Sequence, residues 1–492
     1  MNDFSSGNGI IQAIPKLKTG NTNLDAVLQG GFPKNRLSLI SGGAGTGKTL
    51  LTLECVYRKA LTGESAVFVT FEENAAVLRE NAAALGWNLA DLEASGRFFI
   101  QAVDTPITVI RSGEFDVQGL LAMLDRRLKT VGATWLAIDA IDMLLRIFDQ
   151  DVLEREQLGL LCNWLGKREV TTLLTVKAMT SGEKVYPYLD FMADCVLHLD
   201  QRMDGEVRTR RLRVNKYRGS GFLSNEYPYV IDSRGVRLVP VSCMALNHVA
   251  LRDRMSSGIQ NLDRLLGGGF FKGSTILFSG PSGVGKTLLA STYARAACRQ
   301  GERVLYISFE ESADSLISGG RNAGLELQSL VEKQLLHIMP IMPESMGTEQ
   351  HLFHILDAIE RYSVEHVVLD AISACRRMGA PKAAFDLLLR LVNHCKTQGI
   401  ACVFTNQALS TGGHHEISGV GLSSLLDTAL VMRYVKARDE LQRRLLVFKS
   451  RGSAHSNRYH ELRITDEGIV ISDPRPDTAG DHGSNPVKPT EA

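Results

Sequence analysis

The chain is short of several things, and each shortage excludes something. Aromatic residues are only 7% while glycines number 45, a balance that suits an α/β nucleotide-binding protein better than an all-β sandwich. Charge of one sign is missing: 55 Lys+Arg against 54 Asp+Glu leave +1, so nothing global pulls the protein toward nucleic acid or an anionic membrane. No apolar stretch approaches the ~18 residues needed to span a bilayer. The opening MNDFSSGNG has no basic segment followed by an apolar one, so no secretory signal is expected. The eight cysteines (Cys55, Cys162, Cys195, Cys243, Cys298, Cys375, Cys395, Cys402) contain no C-x-x-C pair. They read as reduced core thiols of a cytoplasmic protein. His351 and His354 share a helical face in HLFH, but no third ligand accompanies them, so metal binding is not expected there.

What is present is a repeat. At 492 residues the chain is roughly three times a common single-domain length of about 150. GNTNLDAVLQGGF (20–32) returns as GIQNLDRLLGGGF (258–270), SGGAGTGKTLL (41–51) as SGPSGVGKTLL (279–289), and GESAVFVTFEE (63–73) as GERVLYISFEE (301–311), all at an offset of 238. WLAIDAI (135–141) meets VVLDAI (367–372), and NKYRGS (215–220) meets FKSRGS (448–453), at offsets of 231 and 233. So small a drift over some 200 positions means duplicated domains with minor loop changes. The first is placed at 14–240 and the second at 250–472. The tail 473–492, with four prolines and almost no large apolar residue, is expected to be disordered.

Both halves share one coarse pattern. Arg36–Ile40 and Thr275–Phe278 read as strands that run through a glycine-rich turn into helices Thr49–Ala60 and Thr287–Arg299. Further strands are expected at Ala66–Thr70, Trp135–Ile138 and Thr171–Val176, and at Val304–Ser308, Val367–Leu369 and Ala401–Thr405. Alternating strands and helices predict an α/β fold with a mostly parallel sheet covered on both faces.

G-x-x-x-x-G-K-[ST] occurs twice, at Gly42–Thr49 and Gly280–Thr287. Its glycines (Gly42, Gly45 and Gly47; Gly280, Gly283 and Gly285) let backbone N–H groups turn inward around phosphate oxygens, with Thr46 and Val284 completing the two cradles. Lys48 and Lys286 would reach the β/γ-phosphates, and the hydroxyls of Thr49 and Thr287 would face Mg²⁺. Two such loops at matching repeat positions predict two ATP sites. Asp139 and Asp370 end apolar runs and would bring a carboxylate to the metal side. Glu72-Glu73 and Glu310-Glu311 follow their lysines by 24 and 25 residues and could polarise the attacking water or hydroxyl. Side chains alternate along a strand, so one of each pair should lie in line.

Tandem phosphate loops, FEE after the next strand and a late K-x-R-G-S strand together resemble the KaiC family of clock ATPases and autokinases, over about 14–470. The resemblance implies two RecA-like P-loop NTPase domains and a homo-hexameric ring with Mg-ATP at subunit interfaces. It implies an ATPase in the first domain and a serine/threonine autokinase in the second. On the same footing, Lys449, Arg451 and His455 in KSRGSAH would reach a neighbouring subunit's γ-phosphate. The first half keeps Lys216 and Arg218 but has Phe222 in place of the histidine. The family's acceptor pair falls on Ser423 and Ser424, with Ser418 a further hydroxyl, whereas the first half has Asp190 and Phe191 and no acceptor. KaiB-like or signalling protein partners are implied too. The chain departs from the family in its short polar tail, the region where cyanobacterial members dock an activating partner.

Two other readings compete. RTRRLRVNKYR (208–218), with five Arg and a Lys, would suit a RecA/DnaB-like DNA-dependent ATPase. The second half has a comparable DELQRRLLVFKSR, so a repeated edge strand feeding a subunit interface explains both, and nucleic acid is not expected. A nucleotide-switched scaffold without kinase activity is the other.

Overall fold

The structure is a computed structural model and describes residues 14–103, 117–146, 148, 151–177, 186–204, 207–238, 253–379, 381–408, 421–437 and 440–473. Ser418 and nearly all of the tail lie outside them. The chain divides into two compact units, Met1–Ala245 and Leu246–Ala492. Seven cysteines among the described residues are free, and six of those are buried.

In the first unit the strands of the main sheet are β1 (Leu37–Gly42), β2 (Ala66–Thr70), β3 (Phe98–Ala102), β4 (Trp135–Asp139), β5 (Thr171–Lys177), β6 (Cys195–Asp204), β7 (Val207–Tyr217), β8 (Tyr227–Asp232) and β9 (Gly235–Leu238). They form one sheet in the order β9-β8-β7-β6-β1-β5-β4-β2-β3. β6, β1, β5, β4, β2 and β3 pair in parallel. β7, β8 and β9 extend the sheet antiparallel. Both faces of the sheet are covered, which is why β2 and β4 are buried along their whole length. Phe68, Trp135 and Ala137 face one core with Leu51 and Val56 of helix α1 (Lys48–Leu61). Val67, Val69, Leu136 and Ile138 face the opposite core, beneath helices Val117–Val131 and Asp151–Gly166.

The second unit repeats this strand for strand: β10 (Thr275–Gly280), β11 (Val304–Ser308), β12 (Leu336–Pro340), β13 (His366–Asp370), β14 (Ala401–Gln407), β15 (Thr428–Ala437), β16 (Glu440–Ser450), β17 (Tyr459–Thr465) and β18 (Gly468–Ser472). Its order, β12-β11-β13-β14-β10-β15-β16-β17-β18, is the same layout. Helix α2 (Lys286–Arg299) packs Leu289 and Tyr293 against Phe278, Tyr306 and Val368. Each phosphate-loop strand sits in mid-sheet between two parallel neighbours, so its carboxyl end opens on the crevice where α/β sheets bind ligands.

One expectation needs correction. β7 and β16 are not edge strands: β7 lies between β6 and β8, and β16 between β15 and β17. A following hairpin covers part of each, pairing only Arg210–Leu212 of β7 and Arg443–Leu446 of β16.

Candidate functional site

Each loop of the repeated motif leaves its strand and enters its helix through a left-handed glycine, Gly47 (φ 87°) or Gly285 (φ 107°). That left-handed backbone favours glycine, and a Cβ on Gly47 would also push on Ile231 Cδ1 at 2.4 Å. Upstream, a Cβ on Gly42 or on Gly280 would meet a backbone carbonyl oxygen (Leu199 or Met432) at 2.5 Å. Lys48 Nζ donates to the Gly43 carbonyl at 2.9 Å and Lys286 Nζ to the Pro281 carbonyl at 2.8 Å. Burial lowers both ammonium pKa values from the ordinary value, against the pull of Asp139 on Lys48 and of Asp370 on Lys286. A desolvated cation at a helix N-terminus is a strong anion anchor.

Asp139 and Asp370 lie beside the two loops. Thr49 Oγ1 donates to Asp139 Oδ2 at 2.9 Å, and Thr175 Oγ1 to Asp139 Oδ1 at 2.5 Å. Asp139 is almost fully buried, and burial raises its pKa to about 6. In the second unit Tyr306 OH donates to Asp370 Oδ2 at 2.8 Å, and Thr405 Oγ1 bonds Asp370 Oδ1. A cavity of about 500 Å³ opens there, lined among others by Lys286, Thr287, Glu310, Glu311 and Asp370.

The two glutamates of each pair part company. Glu72 and Glu310 act electrostatically on Lys48 and Lys286. Their neighbours turn back on their own segments: Glu73 Oε2 accepts from Asn81 at 3.5 Å, and Glu311 Oε2 from Ser315 Oγ at 3.0 Å. Burial, then the charge of Glu72, raises the Glu73 pKa.

The late strands carry the other cluster. Lys449 Nζ donates to the Ser423 carbonyl and Arg451 Nη2 to the Ser424 carbonyl, both at 2.9 Å. The first unit repeats this geometry without hydroxyls: Lys216 Nζ donates to Asp190 O at 2.5 Å and Arg218 Nη2 to Phe191 O at 2.6 Å. Asp427 fixes the second cluster, accepting from Thr275 N and Lys396 Nζ at 2.9 and 2.8 Å. Ser423 and Ser424 are exposed on a 3₁₀ turn, Leu422–Ser424. His455 stands apart from them, Nδ1 donating to the Ser456 carbonyl at 3.3 Å. Phe222 instead packs on the first unit's core.

The polarity of the sheet decides where this cluster lies. β15 runs parallel to β10 and starts with Thr428 beside Ile276, near the start of β10, whereas the phosphate loop leaves the far end at Gly280. Ser423 and Ser424 therefore sit at the amino-end edge of the sheet and the chain's own phosphate loop at the carboxyl-end edge.

Comparison with known proteins fits these paired sites. The family model described as "ATPase: KaiC" matches residues 17–242 and again 255–475. The chain belongs to the KaiC family. It is similar to the circadian clock protein KaiC2 of Synechocystis sp., 35% identical over 460 residues, 93% of this chain and 81% of that one. It is also similar to the circadian clock oscillator protein KaiC of Picosynechococcus sp. (33% identical over 95% of this chain and 92% of that one) and of Synechococcus elongatus (33%, 94% and 90%). Two KaiC-type ATPase domains thus account for the repeat, each built on the tandem RecA-like layout.

In this KaiC relative the arginine-rich strand is largely engaged within the fold. Arg213 Nη1 lies 3.7 Å from Glu226, which also accepts from Arg202 on β6, and Arg210 Nε donates to the Gly45 carbonyl at 3.4 Å. His351 is a core residue, its Nε2 2.9 Å from the Pro343 carbonyl and its ring edge-on to Phe309. No cluster of three or more His, Cys, Asp or Glu able to hold a metal occurs among the described residues. No helix among them is long and apolar enough to cross a membrane.

Proposed function

We propose that this KaiC-family ATPase is also a Mg-ATP-dependent serine/threonine autokinase. It would work as a cytoplasmic homo-hexameric ring, with the units 14–240 and 250–472 each binding nucleotide between subunits. One observation supports this most: Lys449 and Arg451 hold the backbone carbonyls of the exposed Ser423 and Ser424, at the sheet edge away from their own phosphate loop. A ring that places one subunit's carboxyl-end edge against the next subunit's amino-end edge would bring γ-phosphate, cations and hydroxyls together.

The roles follow from the chemistry. Lys48 and Lys286 would exchange their loop carbonyls for β/γ-phosphate oxygens. Thr49 with Asp139, and Thr287 with Asp370, offer the all-oxygen donor set that suits Mg²⁺, which when bound neutralises phosphoryl charge. Glu310 would take the proton of the incoming serine Oγ as it attacks the γ-phosphorus, and ADP would leave. Glu72 would do the same for water in the first unit. Lys449 and Arg451, or Lys216 and Arg218, would neutralise charge on a neighbour's transferring phosphoryl group. A KaiB-like or other signalling partner would read the result.

Incubating the full chain with γ-labelled ATP and mapping phosphopeptides by mass spectrometry tests this. Label is expected on Ser423 or Ser424 and not around Asp190 and Phe191. ATP turnover with no label on either serine would leave an ATPase alone.

The raised Asp139 pKa gives a pH prediction. The folded state holds this proton more tightly than an unfolded chain would. The buried carboxylate therefore costs stability as pH rises from its ordinary 3.8 toward about 6. A bound cation relieves that cost, and a proton competes with the cation. In a Lys286→Ala chain, Mg²⁺ affinity of the nucleotide-loaded first site should fall roughly tenfold per pH unit below about 6 and level off above 7. A Mg²⁺ titration of fluorescent-nucleotide binding reads this directly, and a flat profile from pH 5 to 7 contradicts it.

A further inference from the structure

The first phosphate loop is held from outside, and the second is not held in the same way. Gln201 Nε2 donates to the Ala44 carbonyl at 3.0 Å, Arg210 Nε to the Gly45 carbonyl at 3.4 Å and Tyr229 OH to the Thr46 carbonyl at 2.5 Å. Within the loop, Thr46 Oγ1 donates to the Gly43 carbonyl at 2.9 Å. Four consecutive carbonyls, Gly43 to Thr46, thus have side-chain donors. The three outer donors form one cross-strand row: Gln201 on β6 faces Arg210 on β7, which faces Tyr229 on β8.

A peptide unit is planar and trans, so a carbonyl fixed outward points the next residue's N–H inward. Holding the carbonyls of Ala44, Gly45 and Thr46 therefore aims the N–H groups of Gly45, Thr46 and Gly47 into the loop. Those are the groups a triphosphate would use. A loop already shaped this way loses less conformational freedom on binding.

The second unit has the same row in the same register, Tyr434–Arg443–Leu462, with different chemistry. Leu462 stands where Tyr229 does and has no hydroxyl. Val284 stands where Thr46 does and cannot donate to the loop. Arg443 Nε, counterpart of the Arg210 atom that holds Gly45, is buried without a hydrogen-bond partner among the described residues. The Arg443 guanidinium lies instead near the Tyr434 ring, 5.7 Å from its centroid.

We infer that Tyr229, with Gln201 and Arg210, is a positioning clamp that pre-forms the first phosphate loop for triphosphate. The first site then binds nucleotide more tightly and releases it more slowly, while the second site exchanges readily. The inference rests on reading both loops as triphosphate cradles.

The test uses the full chain and a fluorescent ATP analogue. Lys286→Ala isolates the first site and Lys48→Ala the second. In the Lys286→Ala background, Tyr229→Phe removes only the hydroxyl, and Tyr229→Leu installs the residue that the second unit carries at that place. Either change should weaken first-site affinity about five- to tenfold, mostly through a faster off-rate, the scale of one lost hydrogen bond. For Tyr229→Phe the thermal midpoint without nucleotide should stay near that of the parent, while Tyr229→Leu, which shrinks a buried core side chain, should lower it. In the Lys48→Ala background, Leu462→Tyr should slow release from the second site, which a merely structural role for the tyrosine does not predict. Unchanged first-site affinity and off-rate in Tyr229→Phe would overturn the clamp alone. Failure of the Lys286→Ala parent to bind the analogue would overturn the cradle reading and the clamp with it.

Discussion

Lys286→Ala subunits and Arg451→Ala subunits, each silent when alone, should recover label on Ser423 and Ser424 when mixed into common rings, and the label should sit on the Lys286→Ala chains. The direction follows from the sheet. Phosphoryl transfer needs reacting atoms within about 3.5 Å. Thr428 is level with Ile276, four residues before Gly280, so at about 3.3 Å per residue the acceptor turn lies more than ~13 Å from its own phosphate loop. The turn is also tied in place, through the carbonyls of Ser423, Ser424 and Leu425, by Lys449, Arg451 and Lys396. A donor nucleotide must come from another copy. In a head-to-tail ring mixed one to one, about a quarter of the interfaces combine an intact Lys286 with an intact Arg451 across the joint, so recovery should approach about a quarter of the parental label. Phosphopeptide mapping with isotopically distinct subunits checks both amount and location. No label in verified mixed rings would mean transfer within one chain, against the strand polarity.

What the sequence disclosed, and what it hid, divides along physical lines. Local features were legible. Glycines at Gly42 and Gly47, the lysines behind them and the apolar runs ending at Asp139 and Asp370 each reflect constraints felt within a few residues. Ala66–Thr70 and Val304–Ser308 are strands with the bounds expected of them. The antiparallel flank was harder, because a half-buried strand such as Val207–Tyr217 looks the same at an edge as inside. Only the pairing with Tyr227–Tyr229 shows that it is interior. The Gln201–Arg210–Tyr229 row was invisible for a stronger reason. Its members reach a loop more than 150 residues earlier, and no local pattern marks a tyrosine as donor to a distant carbonyl. The repeat did hold a clue: aligning the halves at an offset of 233 sets Tyr229 against Leu462. Two copies under one fold should differ at loop-bracing positions only if their nucleotide sites differ. The serines are the converse case. Only the resemblance singles them out, and the structure puts matching cations on the carbonyls of the matching positions in both units, Lys216 and Arg218 on Asp190 and Phe191, Lys449 and Arg451 on Ser423 and Ser424.

Glu310→Gln should lower phosphorylation of Ser423 and Ser424 by about 10²–10⁴-fold, the usual worth of a positioned general base, while nucleotide binding stays within a few-fold of the parent. Glu311→Gln should cost far less. The two residues are adjacent, chemically identical and both exposed, so composition cannot separate them. Their partners do. Glu311 accepts from Ser315 Oγ, and its own N–H donates to Ser308 Oγ at 3.0 Å, which turns it toward its own segment. Glu310 instead acts on Lys286, the group that would hold the γ-phosphate. A base must sit where the attacking hydroxyl arrives, and that is beside the lysine. Gln keeps the size and loses the proton-accepting charge, so retained binding with lost transfer isolates the chemical step. The same logic predicts that in the first unit Glu72→Gln, rather than Glu73→Gln, removes most ATP hydrolysis from a Lys286→Ala chain. If Glu311→Gln proved the more damaging of its pair, the assignment would reverse. The Ser315 contact would then be a resting hydrogen bond that breaks when the substrate hydroxyl enters.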